Sequence, residues 1–404
     1  MNQHVLDTID MRTLGSNLQK ARKRSRLTQE DAAKVIDTAR TTITAIEKGE
    51  RRIRPEELEK LAYAYGRQVS DFVRTRPTIE PFEVQFRGPT DRTEEDTEKI
   101  EVYIDQLEQY CSDYLELEQQ IGIPLARKYP QEYPIQGSKT EQAAEAVAIA
   151  ERQRLGLGDA PIPLLRDILE QDVGLRIFYM PLQPSTFSAI YIYTEQLGGC
   201  IAVNRLHPED RRRWSLAHDY GHFLVHRYKP TASFEDIYRR IPESERFADA
   251  FARYFLMPTS SLTKRFSDLR RLKEKTTLTD LGSLAHYYGV SITALMLRLE
   301  DMKLLATGTW DKLQERGLKV RELQRELGLS ELPTRDEVFP LRYIYLAFEA
   351  LSQDLIVEGR FAELLGIDRL EARRVAQELQ EQTYDLGLEE QIRSEDTPTQ
   401  PWEN

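Results

Sequence analysis

Cysteine is almost missing from this 404-residue chain: only Cys111 and Cys200 occur, 89 positions apart. That is too few and too scattered for a disulfide framework or a thiolate zinc site, and it points to a reducing compartment. Long apolar runs are also lacking. No stretch approaches the roughly 20 residues needed to cross a bilayer, and Met1 to Asp10 has no signal-peptide pattern, so the expectation is a cytoplasmic protein with no membrane partner. Histidine is scarce too, at six residues. What remains, 40% apolar and 30% charged residues, fits a soluble chain too long for one hydrophobic core.

The charge is unevenly spread. The whole chain carries −11, yet residues 1–76 hold 16 Lys and Arg against 11 Asp and Glu, leaving +5 there and −16 in the rest. A basic head on an acidic body suits an N-terminal part that meets phosphates.

From Thr13 to Val73 apolar residues recur at helical spacing: Leu14, Leu18 and Ala21, then Ala32, Ala33 and Ile36, then Ile43 and Ile46. Thr28 followed by Asp31 reads as a capping box, Asp37-Thr38-Ala39 as a turn, and Gly49 as a helix stop. Five short helices are expected. Leu27-Thr28-Gln29-Glu30, Ala33 and Thr42 to Gly49 resemble the Cro/C1-type (XRE-family) helix-turn-helix. The resemblance implies an operator-binding module whose third helix enters the major groove. Carried onto this chain, Arg40, Thr41, Thr42 and Thr44 become base readers, and Gln29, Lys48, Arg51 and Arg52 become contacts that fix position on the DNA. Arg40 has the fork needed for a bidentate contact to guanine.

Pro77, Pro81 and Pro89 mark a linker from about Thr75 to Asp91. Beyond it Ile100, Ile104, Leu107, Cys111, Tyr114 and Ile121 form a short heptad-like stripe. Two uses stay open for that stripe: pairing two chains into a homodimer, or packing on its own domain.

Three of the six histidines, His218, His222 and His226, fall within nine residues. Residues four apart share a helix face, so His218 and His222 can offer imidazole nitrogens to one zinc ion. His226 lies about 12 Å from His218 along such a helix and cannot easily join them. A third ligand must come from elsewhere, and Glu245 is the natural candidate in the helical stretch 245–252. Asp249, on the same face, is placed to hold the outer nitrogen of a histidine.

These segments, with Gly199 to Asn204, Arg212 to Ala217, Leu155-Gly156-Leu157-Gly158 and Tyr288-Gly289-Val290-Ser291, look like the ImmA/IrrE family of metallopeptidases over about 143–302. The resemblance implies a zinc peptidase, with manganese as an alternative metal, that cleaves a transcriptional repressor in a stress response. In the family pattern glutamate follows the first histidine; here that catalytic position is Asp219. Whether the domain cleaves is left open. The strands expected beside the metal helix are Leu175 to Tyr179 and a hairpin of Phe187–Tyr193 and Cys200–Asn204, with a peptide adding to an edge.

The fold class expected is mostly α with a small β-sheet (α+β). Its parts are a helix-turn-helix domain at 1–76, a linker and long helical segment at 77–138, a zincin-like α+β domain at 139–310, a helical C-terminal region at 311–393 and a disordered tail at 394–404. Three functions are carried forward. The first is a DNA-binding regulator whose metallopeptidase-like domain senses a signal or a protein or peptide ligand. The second is an active zinc endopeptidase that cleaves a repressor or itself. The third is an antitoxin-like partner-binding protein.

Overall fold

The computed structural model describes residues 10–25, 27–67, 69–73, 82, 94–134, 139–229, 231–234, 242–272, 276–315 and 337–381. The expected tail at 394–404 and most of the expected linker lie outside the described residues. The chain divides into two units, Met1–Pro77 and Thr78–Asn404.

The first unit holds five helices among the described residues: α1 (Met11–Arg24), α2 (Gln29–Val35), α3 (Arg40–Glu47), α4 (Pro55–Ala64) and α5 (Ser70–Val73). Each start has a local cause. Asp10 accepts from the Thr13 amide at 2.9 Å and so caps α1. Thr28 and Asp31 exchange hydrogen bonds at 3.0 and 3.1 Å, completing the expected capping box of α2. Pro55 sits in the first turn of α4, where its missing N–H costs nothing. Between α2 and α3 the chain reverses through Asp37, whose φ of +52° is one that Asp tolerates better than most residues. Leu14, Leu18, Ala33, Ile36, Ile43, Ile46, Leu58 and Leu61 close the core. At Gly15 the α1 and α3 backbones all but touch: a Cβ there would lie 2.4 Å from the Ile46 carbonyl oxygen.

The second unit is built on a four-stranded sheet in the order β1-β3-β2-β4. Its strands are β1 (Arg176–Met180), β2 (Phe187–Thr194), β3 (Gly198–Asn204) and β4 (Thr231–Phe234). β1 runs parallel to β3, while β2 is antiparallel to both β3 and β4. The period of two along each strand sorts side chains between two cores. Ile177, Tyr179, Tyr191, Ile201 and Val203 enter one core, and Phe178, Met180, Ile190, Ile192, Cys200 and Ala202 enter the other.

Helices cover both faces. The first core is completed by α7 (Thr140–Arg154), α9 (Glu209–Val225), α10 (Glu243–Leu256), α11 (Thr259–Leu272), α12 (Leu278–Tyr288), α13 (Ile292–Asp301) and α14 (Thr309–Glu315). On this side also lies the short α8 (Leu165–Ile168), which runs into a π-turn at Leu169–Val173. The second core is completed by α6 (Glu94–Ile121), α15 (Leu341–Ser352) and α16 (Glu358–Leu365). The fold is therefore mostly α with a small mixed sheet.

One open alternative is resolved and one expectation is revised. The stripe Ile100, Ile104, Leu107, Cys111 and Tyr114 on α6 is buried against the sheet and α15, so it packs within its own unit and is not a seam between chains. The hairpin of β2 and β3 forms, but Gly198 and Gly199 belong to β3, and both strands are interior to the sheet. The edges are β1 and the unanticipated β4.

Candidate metal centre and DNA-facing helix

α9 begins after Pro208 with Glu209 and Asp210 in its first turn, where carboxylates suit the helix dipole. It is buried along most of its length because it lies between the sheet and α10. Gly221, one residue before His222, permits that approach: a Cβ there would sit 3.0 Å from the Phe251 ring and 3.2 Å from the Ala248 Cα. The sequence signal for this glycine was its place inside a helical pattern, which often marks close packing.

His218 and His222 project from α9 toward Glu245 on α10. The two Nε2 atoms are 3.1 Å apart. His218 Nε2 lies 3.3 Å from Glu245 Oε2, and His222 Nε2 lies 3.4 Å from Glu245 Oε1. Ligand atoms around a tetrahedral zinc with bonds of about 2.0–2.1 Å stand about 3.3 Å from one another. The imidazole nitrogens stand near that separation from each other and each from one Glu245 oxygen, one ligand atom from each residue lies within 4.8 Å of the others, and their chemistry, two imidazoles and a carboxylate, suits zinc. A three-residue set leaves a fourth position for water or substrate.

Asp249 Oδ1 accepts from His218 Nδ1 at 2.9 Å, which fixes the ring and turns Nε2 toward the centre. Burial alone would lower the His218 pKa, but hydrogen bonds and charge from Asp249 and Glu245 outweigh it and hold the pKa well above the ordinary histidine value. Burial likewise opposes ionisation of Glu245, yet the hydrogen bonds from His218 and His222 keep its carboxyl well below the ordinary range. All three donors are at least nine-tenths buried, and Asp219 beside them on α9 is wholly buried. His226 ends the helix as its C-cap and lies outside this cluster.

In the first unit Arg40 and Thr41 are exposed on α3, and Thr42 and Thr44 are half-buried. Gln29 joins α2 to α3. Its Oε1 accepts from Thr44 Oγ1 at 3.2 Å and from Arg40 Nε at 3.4 Å, and its Nε2 donates to Glu47 Oε2 at 2.9 Å. Glu47 in turn accepts from Arg22 Nε at 2.5 Å. Neither Arg22 nor Glu47 was singled out from sequence, because a buried ion pair looks like surface charge until the fold closes over it. Lys48 and Arg52 are exposed. Arg51 is clasped by the Glu57 carboxylate through two bonds of 3.0 and 2.8 Å, so its charge is already engaged within the unit.

Residues 18–72 match the helix-turn-helix family, and residues 170–300 match the IrrE N-terminal-like domain family. No curated protein matches the chain. The crystal structure of Bacillus thuringiensis PlcR in complex with the peptide PapR7 and DNA is 13% identical over 93% of this chain and 99% of that one. Its TM-score of 0.17 supports no inference from one fold to the other. No helix among the described residues is long and apolar enough to cross a membrane. The chain therefore joins an XRE-type helix-turn-helix to an ImmA/IrrE-like, metallopeptidase-like domain.

Proposed function

We propose that this protein is a cytoplasmic, DNA-binding transcriptional regulator whose second unit holds one divalent metal ion and acts as a sensor or as the docking site for a protein or peptide. The observation that carries the reading is the presentation of Arg40 and Thr41 at the exposed start of α3, braced from behind by Gln29, Glu47 and Arg22. An arginine held this way keeps its guanidinium available for the bidentate contact that distinguishes guanine. Lys48 and Arg52 supply phosphate contacts that set the register. Two half-sites on an operator would call for a homodimer.

In the second unit His218, His222 and Glu245 bind the metal, and Asp249 orients His218. Zinc, or manganese in its place, would supply Lewis acidity there. Asp219, next to His218 in the chain, would be the carboxylate that takes up and returns a proton. It ends one methylene short of the glutamate expected in a peptidase, a displacement of roughly 1 Å that costs on the order of a hundredfold in rate. That shortfall favours a regulator over an efficient protease.

Footprinting against a genomic fragment library at moderate salt tests the DNA reading. Protection of discrete sequences is expected, and Arg40→Ala should lose about 1–3 kcal/mol of discrimination at one base pair. Absence of any sequence-selective protection would defeat it. The complete donor set also favours a second reading, an active zinc endopeptidase. Incubation with zinc or manganese and candidate repressors decides between them: cleavage by the wild type that His222→Ala abolishes supports the enzyme. No cleavage by a metal-loaded wild type, with cleavage gained in Asp219→Glu, supports the regulator.

A further inference from the structure

The second unit belongs to the acidic part of the chain, and one of its helices runs against that balance. α11 exposes Lys264, Arg265, Arg270 and Arg271 and contains a single acid, Asp268, for a net +3 over fourteen residues. The helix is held firmly by its other face. Leu262 and Phe266 are fully buried, and Ser261 Oγ lies 2.8 Å from the Tyr288 hydroxyl of α12. Arg265 lies over the Tyr287 ring, 3.7 Å from its centre, and hydrogen-bonds its hydroxyl. That contact fixes the guanidinium while leaving its charge uncompensated by any carboxylate in the pair. Arg271 pairs with Asp268 but remains 77% exposed. These cations contribute little to stability at such exposure.

We propose that this face of α11 is a second phosphate-contacting surface for duplex DNA, giving the second unit a sequence-independent affinity of its own. The inference rests on the DNA-binding reading above. Lys264 and Arg271 are seven residues apart, about 10 Å along the helix axis. A duplex presents one phosphate charge per roughly 1.7 Å, so it offers several phosphates within that span. Charge complementarity therefore selects nucleic acid, and no base-reading group is required of α11.

The test uses the full chain and a random-sequence duplex, with affinity measured from about 50 to 200 mM salt. Removing both charges in Lys264→Gln/Arg271→Gln should reduce the slope of log affinity against log salt by about 1.8, so that the wild type loses about tenfold more affinity than the variant over this range. The charge-preserving Lys264→Arg/Arg271→Lys should restore the slope, which a loss of folding would not. Arg40→Ala should instead flatten the preference for footprinted sequences and leave the α11 contribution to the slope in place. A double variant with the wild-type slope overturns the proposal while leaving the α3 reading intact. A wild type that binds no duplex at low salt overturns both.

Discussion

Glu47, buried on α3, ties that helix to Arg22 of α1 and Gln29 of α2. Burial would raise its pKa, but hydrogen bonds from Arg22, Gln29 and Gln19 outweigh that and hold it below the ordinary glutamate value. A depressed folded-state pKa means that Glu47 stabilises the unit above the unfolded value of about 4.3, and that this contribution fades as pH falls through the lower folded value. Amide protection factors in α1 and α3, which correct for the intrinsic slowing of exchange in acid, are therefore predicted to fall as the pH drops below about 4. Glu47→Gln should exchange faster at neutral pH and show a weaker acid dependence. An acid dependence identical to wild type would contradict the assignment. The candidate donors His218, His222 and Glu245 could be named from spacing, since four-residue intervals put pairs on one face of two helices, but that the two helices meet could not. Gly15 was not legible in that way, because what it permits is an approach by a helix elsewhere in the chain, and Gly221 carried only the general signal of a glycine inside a helical pattern.

At the scale of elements, local chemistry wrote its signals plainly where it acted within a few residues. The Thr28–Asp31 box and the Asp37 turn were readable in that way, and three of the four strands were expected close to where they lie. Partners distant in sequence were less so. The α6 stripe has heptad-like spacing that serves a coiled coil and a sheet-covering helix equally well, and only the placement of α15 and the sheet distinguishes them. If α6 is core, Leu107→Ala should cost about 2–5 kcal/mol in denaturant unfolding of the second unit and leave the oligomeric state unchanged. A shift from dimer to monomer with little loss of stability would return the stripe to an interface role. β4 escaped notice because Thr231–Phe234 is only four residues long, too short for alternation to stand out.

Over the whole molecule, the charge asymmetry seen in composition corresponds to two separately cored units, a basic helical one and an acidic one built around a sheet. The candidate metal centre lies wholly in the second, so chelation is predicted to lower the thermal midpoint of that unit and leave that of the helix-turn-helix unchanged, because a ligand stabilises only the fold that binds it. Calorimetry with and without chelator reads this directly. Two imidazoles from α9 and one carboxylate from α10 are predicted to hold a single metal ion whatever the fate of catalysis. Native mass spectrometry of the zinc-supplemented chain tests it: one divalent ion per chain is predicted for the wild type and for Asp219→Ala, and none for Glu245→Ala. A metal-free wild type, or a Glu245→Ala chain loaded as fully as the wild type, would contradict it.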